Sequence, residues 1–126
     1  MPQPQINKAD WYLEVDSHRT KVCLAASRLG QDLEVIIYND NVHLGAVAVS
    51  QFDTETGRVS TSVITLMGHK DDAIARQAAY SICKQTKRPT CVLGGIHIDN
   101  ISNEEIAVIL SNVDDLVEKF IKLVLA

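Results

Sequence analysis

The first half of the chain alternates between apolar and polar side chains with a period of two. Trp11, Leu13 and Val15 point one way and their neighbours the other, which is typical of a half-buried strand. Further runs of this kind predict strands over residues 21–28, 33–38, 42–51 and 58–67. The first four strands are closely spaced and joined by short polar turns, which favours an antiparallel meander.

Helical periodicity follows in the second half. Apolar residues recur every three to four positions and predict a helix over about residues 70–86, and because most of them are alanine this helix should lie close to the sheet. Pro89 follows the helix and precedes a predicted sixth strand over residues 90–98. Ser102-Asn103-Glu104-Glu105 has the form of a capping box and opens a helical region that runs to the C-terminus, with a kink or break predicted at residues 111–115. The last residues are more apolar than one helix face requires, which indicates a subunit interface.

Composition narrows the class of protein. The 126 residues are enough for one domain, predicted over residues 10–126, after a flexible, polar arm over residues 1–9. The formal charge of -4 argues against a protein that binds nucleic acid through a basic face. We find no apolar run near the roughly 20 residues of a membrane span and no apolar signal core at the start, so we expect a cytoplasmic protein that does not enter a membrane.

The cysteines fit the same environment. The chain has three cysteines, an odd number, and no CxxC motif. Each of them, Cys23, Cys83 and Cys91, has aliphatic or small neighbours in the sequence. We therefore expect buried thiols and neither a disulfide nor a zinc site. With one Trp, three Tyr and two Phe in the chain, the core should be mainly aliphatic.

Two glycine- and histidine-containing segments could carry chemistry. Gly68-His69-Lys70-Asp71-Asp72 lies between a predicted strand and a predicted helix, where free N–H groups, a lysine and a histidine suit a phosphate. The two acids oppose an anion, however, and they could simply cap the helix. Gly45, placed inside the predicted fourth strand, has a similar pair of explanations: a bulge or close helix packing, or a ligand against the backbone.

The second segment is Gly94-Gly95-Ile96-His97-Ile98-Asp99-Asn100. Two glycines weaken a strand, so they indicate a bulge or the close approach of a flat ring system, and His97 with Asp99 forms a polar pair two residues apart. If the strands on either side of the first helix are parallel neighbours, both segments leave the same edge of the sheet and converge. His69, His97 and Asp99 could perform acid–base chemistry, but we find no nucleophile or cofactor motif, so binding is favoured over catalysis.

These segments also resemble a known family. They resemble the prenylated-flavin chaperone-like family, which comprises the small D-type proteins of gallate and related hydroxybenzoate decarboxylases. The matching segments are Gly68-His69-Lys70-Asp71-Asp72, the alanine-rich helix, Lys87-Arg88-Pro89 and residues 94–106. The resemblance is specific over residues 58–110 and general over the N-terminal strands. The family's fold is similar to that of proteasome assembly chaperones. The resemblance therefore implies an α+β homodimer in which each six-stranded, mostly antiparallel sheet is backed by two to three helices.

The resemblance also implies a function. It is that of a non-enzymatic protein that binds prenylated FMN and helps to load or mature this cofactor in a UbiD-type decarboxylase. The residues that match the family and are candidates for contacting the cofactor are Gly68, His69, Lys70, Gly94, Gly95, His97 and Asp99. We assign His69 and Lys70 to the phosphate, the glycines to the ribityl chain or ring, and His97 with Asp99 to a polar ring edge. The alternative is a protein-assembly module that binds a partner through its apolar C-terminal helix without any small molecule.

Overall fold

Six strands and two α-helices build the described part of the fold. The computed structural model describes residues 9–66 and 71–126. The elements are β1 (Trp11–Val15), β2 (Val22–Leu29), β3 (Asp32–Tyr38), β4 (Ala46–Phe52), β5 (Val59–Thr65), α1 (Asp72–Thr86), β6 (Thr90–Gly95) and α2 (Asn103–Leu125). Apart from Ala9, the arm predicted over residues 1–9 lies outside the described residues.

The sheet is mixed, with the order β1-β2-β3-β6-β4-β5. Strand β6 pairs in parallel with β3 and antiparallel with β4, and the remaining neighbours are antiparallel. The prediction of a mostly antiparallel sheet is therefore wrong at the centre of the sheet, where β3 and β6 are parallel. The reason is the helix: a chain that leaves β5, forms α1 and returns to the same sheet enters its next strand in the direction of β5. Strand β6 then inserts between β3 and β4.

Both helices lie on one face of the sheet and enclose the core. Helix α1 packs on β4, β5 and β6, while α2 packs on β1, β2 and α1. The core between them is largely aliphatic, as predicted, and includes Leu24, Val35, Ile82 and Leu116. Among the described residues there are two α-helices, the lower end of the predicted two to three.

Helix α2 runs unbroken through residues 111–115, so the predicted break into two helices is wrong. Asn112 is buried there, and its amide donates hydrogen bonds to the Ser17 hydroxyl and the Thr20 carbonyl, each at 3.0 Å. These bonds to the short 3-10 turn at His18–Thr20 satisfy the side chain without opening the helix. The predicted capping box is confirmed, since Ser102 and Glu105 exchange both hydrogen bonds.

The three cysteines are free thiols, as predicted. Cys23 and Cys83 are buried and Cys91 is half-buried, and burial raises the pKa of all three thiols. Across residues 9–66 and 71–126, neither helix combines the length and the apolar character needed to cross a membrane.

The face of the sheet turned away from the helices carries a continuous row of apolar side chains. The register places one residue from each strand side by side, and the row, which we call the open-face row, is Tyr12, Ala25, Ile36, Leu93, Val47 and Ile64. Its edges are exposed at Tyr12 and Ile64. The two helices therefore leave an apolar stripe across the full width of the sheet.

Candidate functional site

The two predicted segments leave the same edge of the sheet. Strands β5 and β6 both run antiparallel to β4, so their C-terminal ends lie on either side of its first residue, Ala46, which pairs with Thr65 and with Gly94. Main-chain bonds continue this ladder: Gly45 N–H donates to the Gly94 carbonyl at 2.9 Å, and Leu66 N–H donates to the Gly45 carbonyl at 3.0 Å. The prediction that β5 and β6 are neighbours is wrong, because β4 lies between them. The two strands nevertheless run in the same direction.

The connection between β3 and β4 must cross the end of β6, because β6 lies between these strands. It crosses at Gly95, where a Cβ atom would lie only 1.7 Å from the His43 carbonyl oxygen. Gly45 belongs to this connection and precedes β4, so its predicted place inside a strand is wrong. A Cβ at Gly45 would lie 2.0 Å from Asp71 Oδ2, which makes close packing beside the helix start the reason for this glycine.

Asp71 joins three parts of the site at the start of α1. The residue is 4% exposed. Oδ1 accepts a hydrogen bond from the Ile96 N–H at 3.0 Å, and Oδ2 lies 3.3 Å from His43 Nε2. The carboxylate makes no capping bond to its own helix. Asp71 therefore links α1, the end of β6 and the β3–β4 connection.

Two imidazoles lie beside this carboxylate. The rings of His43 and His97 meet edge to face, with centroids 6.0 Å apart. His43 Nδ1 lies 3.2 Å from the Asn41 carbonyl, and Nε2 on the other side of the ring faces Asp71. His97 Nε2 lies 2.9 Å from Asp99 Oδ1, so the predicted His97–Asp99 pair forms, in the loop after β6 and not within the strand.

Polar side chains hold that loop in place. Asn39, which is buried, accepts from the His97 N–H at 3.3 Å and donates to the His97 carbonyl at 2.9 Å. On the other side, Arg19 donates to the Asp99 carbonyl and to the Glu105 carboxylate. The Arg19 guanidinium holds the pKa of Glu105 below its usual value. The loop is thus fixed to β3 and to the start of α2.

An apolar cavity of about 430 Å³ opens next to His97. The start of α1, the loop after β6 and the first half of α2 form its walls. The lining residues, which we call the isoleucine cavity, are Asp71, Ala73, Ile74, Ile96, His97, Ile98, Ile101, Ile106, Ile109 and Leu110. Its volume falls within the roughly 300–1,000 Å³ of small-molecule sites. Asp71 and His97 supply its polar groups.

A comparison of the sequence with family models identifies the chain. The model of the prenylated flavin chaperone LpdD-like domain matches residues 16–125. The chain belongs to this family. The predicted resemblance is confirmed, and it extends well beyond the segments that carried it in the sequence.

The fold has a solved relative. The structure is similar to a chain in the crystal structure of a chaperone complex for yeast 20S proteasome assembly, with a TM-score of 0.57 and 18% identity over 86% of this chain and 94% of that chain. This likeness confirms the predicted α+β, proteasome-assembly-chaperone-like fold. No curated protein matches the sequence. Membership of a chaperone family favours a non-catalytic protein.

The site fits a ligand with an apolar end and a polar end, as a prenylated flavin has. The isoleucine cavity offers aliphatic walls and the polar side chain of His97, which in turn contacts His43 and Asp99. In the part of the chain that the structure describes, His, Cys, Asp and Glu form no group of three that could hold a metal ion. The arrangement is therefore suited to holding a conjugated, partly apolar molecule.

The predicted site residues divide into three groups. Gly68, His69 and Lys70 lie outside the described residues. His97 lines the cavity, and Asp99 reaches it only through its contact with His97. Gly94 and Gly95 lie at the end of β6 and face protein atoms: a Cβ at Gly94 would be 3.4 Å from Asp71, and one at Gly95 would meet His43. Their contact with a cofactor stays a prediction.

Sequence reasoning missed residues that complete the site. His43 and Asn39 lie outside the two segments that the sequence singles out, and the isoleucines are not recognised there as a group. One signal was available, since Ile96, Ile98 and Ile101 follow the double glycine closely and alternate with polar residues. The contribution of α2 and of the β3–β4 connection depends on the chain order of the sheet, which local patterns do not contain.

Proposed function

We propose that this chain binds prenylated FMN in the isoleucine cavity and assists its loading into, or maturation in, a UbiD-type decarboxylase. The observation that carries the proposal is the cavity itself, which opens beside His97 at the edge where the family-matching segments leave the sheet. Family membership supplies the ligand class. The protein needs no catalytic group for this role, only a site that holds the cofactor and can release it.

The parts of the cofactor match the parts of the site. The ring system would lie against the aliphatic walls, and His97 with Asp99 would meet a polar ring edge. His69 and Lys70 directly precede Asp71 in the chain, and we assign them to the phosphate, with Gly68 against the ribityl chain or ring. Lysine and histidine are suitable phosphate donors. Asn39 and Arg19 would act indirectly, by holding the loop that carries His97.

Titration of the purified protein with prenylated FMN, followed by visible absorption and flavin fluorescence, tests the proposal. The parent should bind, and His97→Ala and His69→Ala should each raise Kd about tenfold, the effect expected from one lost hydrogen bond to a charged or polar group. Lys122→Ala, an exposed cation near the end of α2, is the control and should leave Kd unchanged. A parent that binds no prenylated FMN would overturn the proposal.

Loading is tested with the partner enzyme. Apo UbiD-type decarboxylase should gain activity from prenylated FMN faster with the parent chain present than with His97→Ala. If the parent binds the decarboxylase but never binds a flavin, the assembly-module alternative holds. A truncation before Val113 cannot separate these functions, because it removes the buried residues Leu116 and Phe120 and with them part of the core.

We also propose that the chain forms a homodimer through the open-face row. Six strands about 4.8 Å apart and about 20 Å long present roughly 500–600 Å² per subunit, so two stacked sheets bury just over about 1,000 Å², the lower range of specific interfaces. A row that crosses every strand suits isologous stacking, in which the same patch meets itself. The exposed apolar residues of α2 are the competing surface, as the apolar C-terminal segment indicated.

A matched pair of substitutions decides between these surfaces. Val49 lies on the open face beside the row and Val108 on α2, and each is 42% exposed. Val49→Lys should convert the dimer to a monomer in light scattering at micromolar concentration, because it buries two charges in the stacked interface. Val108→Lys should leave the dimer intact. The reverse result would assign the interface to α2, and a monomeric parent would contradict the dimer.

A further inference from the structure

We propose that the isoleucine cavity takes the prenyl-derived part of the cofactor and so selects prenylated FMN over FMN, with Ile106 as a specificity-determining residue. The inference rests on the proposed function and adds to it the orientation of the ligand and the source of its selectivity. It is carried by the composition of the walls, the exposure of the apolar rim and the position of one buried carboxylate.

The walls are aliphatic, which suits the branched hydrocarbon that a prenyl unit adds to the flavin ring. Of the ten described lining residues, six are isoleucine and none is Phe, Tyr or Trp. Isoleucine is stiff about χ1 because it branches at Cβ. Its branched surface packs well against the tetrahedral carbons that a five-carbon prenyl unit adds to a flavin. The cavity is therefore a preformed aliphatic site.

The rim of the cavity leaves apolar surface for a ligand to cover. Ile109 at the back is buried, whereas Ile106 and Leu110 are 40% and 44% exposed, and Ile101 is also exposed. All four lie on the loop after β6 or on the first half of α2, so their exposed surfaces face a common space. Exposed apolar side chains that converge on a cavity are a sign of a binding site. A ligand that adds hydrocarbon here removes this surface from water.

Asp71 sets the orientation of the ligand. Its buried carboxylate lines the cavity and is held there by the Ile96 N–H and by His43. A phosphate placed in the cavity would meet this negative charge at close range in a poorly hydrated environment, which is strongly unfavourable. The phosphorylated end must therefore stay outside. The ring end enters, and with it the carbons that distinguish prenylated FMN from FMN.

The expected selectivity follows from the size of the added group. A single extra methylene in a hydrophobic pocket changes discrimination by about 10–200-fold. Five carbons that are only partly enclosed, as the exposed rim implies, should give a preference of at least about tenfold for prenylated FMN over FMN. The preference should depend on the apolar rim and not on the histidines, which both ligands can use.

The test compares two ligands and two variants. Prenylated FMN and FMN are each titrated into the parent, Ile106→Asn and Val108→Asn, with thermal unfolding of each variant as the check on folding. Val108 lies two residues away on the same helix with similar exposure, but it is not a lining residue. The parent and Val108→Asn should prefer prenylated FMN at least about tenfold. Ile106→Asn should lose most of that preference, because the lost apolar contact should weaken prenylated FMN at least several-fold more than FMN.

Three results would overturn the inference. Equal affinity of the parent for both flavins would remove the selectivity while leaving the proposed flavin-binding function in place. Equal weakening of both ligands by Ile106→Asn would mean that Ile106 contributes to binding in general and not to the recognition of the prenyl group. Failure of the parent to bind either flavin would reject the proposed function together with this inference.

Discussion

Replacing Asp71 with alanine should lower the free energy of unfolding by about 3 kcal/mol and abolish flavin binding. The substitution removes a charged acceptor from the half-buried Ile96 N–H, and an unpaired donor shielded from water costs up to about 1–3 kcal/mol in addition to the lost charge-assisted bond. It also removes the contact with His43. Since the carboxylate joins α1, the loop after β6 and the β3–β4 connection, the mouth of the cavity should lose its shape. Urea denaturation and flavin titration measure the two effects.

Two variants separate the parts of this effect. Asp71→Asn keeps a carbonyl oxygen for the Ile96 N–H but loses the charge beside His43, so it should lose only about 1 kcal/mol. Asp72→Ala, at the next residue, should lose no more than about 1 kcal/mol, since its carboxylate acts through the helix dipole. If Asp71→Ala and Asp72→Ala were equally stable, Asp71 would be an ordinary helix-start acid and its role in the site would be wrong.

The strands and helices could be predicted from the sequence because their signals are local. The alternation from Trp11, the alanine stripe of α1 and the capping box at Ser102 each depend on neighbours within a few residues, and each element formed near its predicted place. The common edge of the two segments was also within reach, since a helix between two strands brings them into the same direction. Family resemblance then supplied the fold that periodicity alone left open.

The sheet order and half of the site were beyond such reasoning. Whether β6 lies beside β5 or between β3 and β4 depends on contacts between residues more than 50 positions apart, and no local pattern reports them. The same insertion explains His43: it lies at the site because the β3–β4 connection has to cross β6. The glycines predicted either close packing or bulges of the chain itself or space for a ligand, and at Gly45 and Gly95 the space is filled by Asp71 and His43. A glycine in the sequence indicates that other atoms lie close to the main chain, but it does not identify those atoms.

Adding a methyl group at Gly95 should therefore be far more damaging than adding one at Gly94. In Gly95→Ala the new Cβ would lie 1.7 Å from the His43 carbonyl oxygen and 2.9 Å from its carbonyl carbon. These are main-chain atoms, which cannot rotate away as a side chain can. We expect a loss of at least about 2 kcal/mol in the free energy of unfolding, the range of an overpacked core, measured by urea denaturation.

The adjacent glycine is the matched control because strand residues alternate between faces. In Gly94→Ala the new Cβ would point towards α1, 3.4 Å from the Asp71 side chain and 3.6 Å from the Ala75 Cβ, which are ordinary packing distances. Its stability should stay within about 1 kcal/mol of the parent, since alanine also restricts the unfolded chain. Equal stability of the two variants would mean that the β3–β4 connection does not press on Gly95. Since that contact holds His43 over the end of β6, Gly95→Ala should also weaken flavin binding.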